Sequence, residues 1–158
     1  WDSPTVLIFS RQDLEDLPGE NRRKEARQAE KGGYVVIPAE KPQVVLVANG
    51  SEVSLLCHAA EELKKEGVEA QVVSVPSIGL FMRQPENYRN QVIPENAKVF
   101  GLTAGLPAAL QPLMRGDHEI YGLQRFGASA PYKVLDDKFG YTTHNILAKI
   151  KQFLGLSC

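Results

Sequence analysis

Apolar positions along this chain of 158 residues fall into short blocks separated by polar stretches that carry glycine and proline. The first block, "TVLIFS" at residues 5–10, is β-branched and apolar and predicts a buried strand. A polar stretch at residues 13–31 follows, whose apolar residues do not recur at helical spacing. It predicts a linker with at most a solvated helix, and a domain boundary near residues 12–33. After the glycine pair at 32–33, "YVVI" reads as a short strand, and the unbroken run "QVVLVA" at 43–48 as a central strand covered on both faces. Val53, Leu56, Ala60 and Leu63 then recur at helical spacing until Gly67, and "EAQVVSV" is the next strand. Strand, helix and strand make a crossover unit.

The second half continues the alternation. Residues 76–94 form a connection with short helices, "KVFGLT" is a further strand, "GLPAALQPLM" a short helix despite Pro112, and "EIYGL" a last short strand. Two helices close the chain, at residues 130–138 and at about 142–154, the latter with Ile146, Leu147, Ile150 and Leu154 on one face. Strands alternating with helices predict an α/β fold, a three-layer αβα sandwich around a mixed, mostly parallel sheet.

Composition narrows the function classes. A net charge of −1 leaves no basic footprint for a phosphate backbone, so no nucleic-acid partner is expected. No apolar run approaches the roughly 20 residues that span a bilayer, so no membrane partner is expected either. Two cysteines, Cys57 and Cys158, define no disulfide framework and fit a reducing compartment, expected to be the cytoplasm with an organelle left open. The chain opens on Trp1 with no initiator methionine, from which a longer parent is expected.

Few residues carry obvious chemistry. The loop "ANGSEV" joins a central strand to a helix, where open α/β sheets place ligands, but its single glycine is no dinucleotide fingerprint. The simpler expectation is that Ser51 or Asn49 caps the helix. His58, His118 and His144 lie far apart without metal-ligand spacing; Asp117, His118 and Glu119 read as a solvated turn, and Asp136 and Asp137 as an exposed helix face. Ser54 and Ser129 lack a nucleophile elbow, and Cys57 reads as a small buried hydrophobe. Arg11, just past the carboxyl end of the first predicted strand, stands apart: a planar fork of N–H donors suits a phosphate, and a surface salt bridge is the other reading.

Several stretches in series resemble the end of a transketolase: "TVLIFSRQ", "KGGYVV", "GSEVSL", "S-x-P-S" followed by "F-x-x-Q-P-x-x-Y", "RFGASAP" and "KFGYTTHNI". The resemblance runs over nearly the whole chain. It implies that residues 1–12 are the last strand of a preceding thiamine diphosphate-binding (pyrimidine) domain, 13–33 a linker, and 34–158 the transketolase C-terminal α/β domain. It also implies that Arg11, in the "SRQ" motif, helps to bind the phosphate of a sugar phosphate substrate. The parent would use thiamine diphosphate and a divalent cation, magnesium or calcium, to pass a two-carbon unit between sugar phosphates. No cofactor, metal or catalytic residue is expected in this chain, whose partners would be the upstream domains of the same enzyme and a second copy in a homodimer. Two departures stand out: "LTAG" puts Thr103 where the family usually has a carboxylate, and "LPAALQPLM" lacks the aromatic residues usual there. Outside that family, the competing expectation is a non-catalytic domain or subunit that binds a small anionic regulator in the "ANGSEV" loop.

Overall fold

Three consecutive strands are buried along their whole length, which is why their sequences read as continuous apolar runs: β2 (Val44–Ala48), β3 (Ala70–Ser74) and β4 (Val99–Thr103). The structure, a computed structural model, describes residues 4–10, 12–20 and 22–157, and only the backbone of residue 22. Two flanking strands complete the sheet, β1 (Tyr34–Ile37) and β5 (His118–Gly122), in the order β1-β3-β2-β4-β5. β1 runs antiparallel to β3 and every other pair is parallel, with Leu46 opposite Val72 and Phe100. This is the expected mixed, mostly parallel sheet.

The pleat sends alternate residues to opposite layers. Val44, Leu46, Val72, Phe100 and Leu102 pack with α2 (Glu52–Lys65) and α6 (Thr143–Leu154) through Leu56, Leu63, Ile146 and Ile150. Val45, Val47, Val73 and Val99 pack on the other side with α3 (Ile78–Met82) and α4 (Glu86–Val92) through Phe81 and Val92, joined by Leu110 and Leu113. Two further helices complete the set: α1 (Arg22–Ala26), continued by a 3-10 turn at Arg27–Lys31, and α5 (Tyr132–Phe139).

Three expectations need correction. Residues 5–10 carry no strand, and Val6, Leu7, Ile8 and Phe9 are 71–92% exposed. A strand exists only through a neighbour's hydrogen bonds, and none of the described strands pairs with this segment. The expected helix around residues 105–114 is instead two 3-10 turns, Pro107–Ala109 and Gln111–Leu113. Pro112 lacks the N–H a longer helix needs, and its ring would strike the carbonyl four residues back. Finally, His118 and Glu119 do not form a turn but open β5, paired with Val99 and Phe100.

The motifs behind the resemblance are largely structural. Tyr88 donates its hydroxyl to the Gly33 carbonyl (2.9 Å) and meets Phe81 edge-on, while the Ser77 N–H donates to Gly32 O (3.0 Å). Ser77 also caps α3 by accepting from the Leu80 N–H (3.4 Å). Near the carboxyl terminus, Thr142 caps α6 through the Asn145 N–H (3.3 Å), and Asn145 Nδ2 donates to Gly140 O (2.8 Å).

Candidate functional site

From β2 the chain moves to one side, into β3, and then crosses to the other side of β2 for β4. The loops leaving β2 and β4 therefore diverge, and the crevice outside their carboxyl ends is where open α/β sheets bind ligands. A cavity of about 210 Å³ occupies this place, lined by Ser51, Glu52, Ser54, Leu55 and His58 from the β2 loop and α2, by Tyr132, Asp136 and Tyr141, and by residues 12–15. The "ANGSEV" loop thus does open on the cavity at the switch point.

Ser51 stands at the N-cap of α2 without a capping bond; its hydroxyl donates to Glu52 Oε1 (2.7 Å), and Ser54 Oγ donates to Ser51 O (3.0 Å). Burial pushes the Glu52 carboxyl above its ordinary value, and the nearby Asp136 charge adds to the rise. Bonds from Ser51 and from the backbone N–H of Ala104 partly oppose it. Asp136 is itself raised, first by burial and then by Asp137, so the expected exposed pair is divided: Asp136 is half-buried against the cavity and Asp137 is exposed. Tyr141 donates to Thr103 O (2.7 Å) and stacks edge-on with Tyr121; burial pushes its phenol up to about 12. Glu15 Oε2 meets His58 Nε2 at 3.2 Å.

The lining therefore carries four carboxylates, Asp13, Glu15, Glu52 and Asp136, against one imidazole. Such a lining accepts hydrogen bonds and repels anions, which argues against a small anionic regulator in this loop. Thr103, standing where a carboxylate was expected, is buried and accepts the Gly105 N–H (3.1 Å) within its own turn.

The other sequence candidates are dispersed. Arg11 lies outside the described residues, although Gln12, its neighbour, lines the cavity. His118 is exposed and near Gly116 O (2.7 Å), His144 is exposed on α6, and Ser129 is exposed in the loop before α5. Cys57 is buried in α2, and burial pushes its thiol up to about 11, as a small hydrophobe's would be. Among the described residues, no group of three or more His, Cys, Asp and Glu could hold a metal ion, and no helix is long and apolar enough to cross a membrane. Sequence reading missed Glu52, Asp136 and Tyr141 as neighbours. Tyr132 and Asp136 are four apart on α5, the spacing of one helix face, and that was the available signal.

Comparison with known proteins agrees with this architecture. The profile of the transketolase-like TK C-terminal domain matches residues 32–142. Transketolase 2 of Vibrio parahaemolyticus is 38% identical over 155 residues, which is 97% of this chain and 23% of the relative. Transketolase 1 of Escherichia coli is 38% identical over 156 residues, again 97% of this chain and 23% of the relative. The chain thus spans less than a quarter of the length of these relatives. Among solved structures, the transketolase of Pichia stipitis in complex with sedoheptulose 7-phosphate superposes with a TM-score of 0.81 at 29% identity, over 92% of this chain and 20% of that one.

Proposed function

Since the chain belongs to the transketolase-like C-terminal domain family, we propose that it is the carboxyl-terminal part of a thiamine diphosphate-dependent transferase. That enzyme moves a two-carbon ketol unit between sugar phosphates, as in the pentose phosphate pathway, and works as a homodimer in the cytoplasm. The observation that carries the reading is the alignment of nearly the whole chain with under a quarter of a transketolase.

The residues in hand do not suit the cofactor. A diphosphate would meet the carboxylates around Glu52, and the described residues offer no cation site. In this reading thiamine diphosphate and its magnesium or calcium ion belong to the upstream domains, and the isolated chain is inactive. Its own work is to pack against those domains and to support the dimer. Residues 1–12 supply the last strand of the preceding domain, 13–33 the linker and 34–158 the domain proper. The exposed row Val6, Leu7, Ile8 and Phe9 supports this division, because a strand that completes another sheet has its partners there.

Arg11 is the substrate contact, a guanidinium that pairs with the sugar phosphate. The test is Arg11→Ala in the full-length enzyme. It should raise KM for phosphorylated sugars and cost about 1.5–3 kcal/mol in kcat/KM, the range for hydrogen bonds to charged groups. An equal loss with unphosphorylated sugars would remove the phosphate role.

A further inference from the structure

A second cavity, of about 720 Å³, lies at the end of the sheet opposite the switch point, where Ile37 ends β1 and Ala70 opens β3. Its volume falls within the range of about 300–1,000 Å³ usual for small-molecule sites. The space exists because the residues beneath it are short: Ala60 and Ala70 are buried and Ala39 is half-buried. The wall beside them is held in shape. Pro38 lines the cavity, Pro42 follows in the same connection, and each has a fixed φ and no N–H to offer a neighbouring strand. The Gln43 N–H donates to Glu69 O (2.8 Å) and the Glu69 N–H donates to Gln43 Oε1 (2.9 Å), which ties the connection between β1 and β2 to the entry of β3.

The rim of this cavity carries charges of both signs that are not spent on each other. On α2, Lys65 and Glu62 stand three residues apart and pair at 2.6 Å, and Glu66 pairs with Lys151 at 2.6 Å. Glu61 and Lys64 have the same spacing and both line the cavity, yet they form no pair with each other. Glu40 and Lys41 add one charge of each sign from the connection between β1 and β2. A simple anion or a simple cation would meet a like charge here, whereas a molecule with an apolar body and one charge of each sign meets neither penalty. We propose that the cavity binds a short zwitterionic peptide with apolar side chains, its ammonium on Glu61, its carboxylate on Lys64 and its side chains over Ile37 and the three alanines. The ends of an extended dipeptide lie about 7 Å apart, close to the roughly 5–6 Å between residues three apart on a helix face. The charges of a free amino acid are separated by a single carbon and match that spacing less well.

The test is calorimetry on the full-length enzyme with leucyl-leucine as the probe. One site should appear with a Kd on the order of 0.1–1 mM, the scale for a ligand of about 17 non-hydrogen atoms at ordinary efficiency. Acetylating the probe's amine, or amidating its carboxylate, should raise Kd about 2- to 5-fold, the worth of one exposed ion pair. Glycyl-glycine keeps both charges without the apolar body and should bind at least about 100-fold more weakly. Lys64→Gln should weaken leucyl-leucine about 2- to 5-fold and leave its amide unchanged, and Glu61→Gln should do the same while leaving the N-acetyl form unchanged. Both side chains are exposed, so neither exchange touches the core. Ala39→Trp fills the cavity from its half-buried floor and should abolish binding. Absence of a leucyl-leucine site overturns the proposal, as does a site that Ala39→Trp leaves intact or that both glutamine variants leave at its original Kd. Glycyl-glycine binding as tightly as leucyl-leucine, or Lys64→Gln weakening the amide as much as the free acid, overturns it equally.

Discussion

Gly32 ends the 3-10 turn that follows α1, and its φ of +86° lies in the left-handed region. A Cβ placed there would come within 3 Å of the Phe81 nitrogen, the Ser77 carbonyl oxygen and Leu80 Cβ. Two of these are backbone atoms of α3 and its cap, which no rotamer change can move aside. Gly67 is the natural control: its φ is +78°, yet a Cβ there meets nothing within 4 Å. Gly67→Ala should cost only the left-handed conformation, about 1–2 kcal/mol. Gly32→Ala should cost that plus about 1–3 kcal/mol for overpacking, or about 2–5 kcal/mol in all. Urea titration of the two variants and the parent at constant m would read the difference directly. In thermal unfolding, each kcal/mol should lower Tm by about 2–4 °C for a chain of this size. Losses equal within about 0.5 kcal/mol would refute the claim that close approach to α3, and not backbone conformation alone, demands glycine in the "KGG" stretch.

Two further outcomes follow from buried ionisable groups. Folded Glu52 holds its proton at pH values where the unfolded chain has lost it, so the stability it contributes is full below the ordinary value of 4.5 and is lost as pH rises through its raised value. Glu52→Gln should therefore gain on the parent as pH rises through that window, measured by urea midpoints; a pH-independent gap between the two would remove the burial argument. With its thiol pushed up to about 11, buried Cys57 carries on the order of one thiolate per thousand at pH 8, so in a Cys158→Ser background it should react with a disulfide reagent at least about 100-fold more slowly folded than in urea. Comparable rates in the two states would mean that α2 opens readily around it.

How much the sequence disclosed depended on whether a residue's partners lay in its own element. β2, β3 and β4 were legible because burial on both faces leaves only apolar residues, whatever covers them. α2 was legible because Val53, Leu56, Ala60 and Leu63 share one stripe. The "TVLIFS" block has the same composition as a buried strand and is exposed, since composition records that a surface must be covered and not what covers it. The switch-point cavity was hidden for a related reason: it joins residues 12–15, the start of α2, α5 and Tyr141, which no period links. Helical spacing on α5 marks Asp136 and Asp137 alike as polar, and only the placement of that helix over the end of β2 makes one of them a neighbour of Glu52. The family motifs bridge this gap in part. Tyr88 reaching Gly33, and Tyr141 reaching Thr103, are long-range contacts recorded in short local strings. "SRQ" differs from them in kind, for residues 12–15 line a cavity with the first half of α2 while the apolar residues on its amino side are exposed.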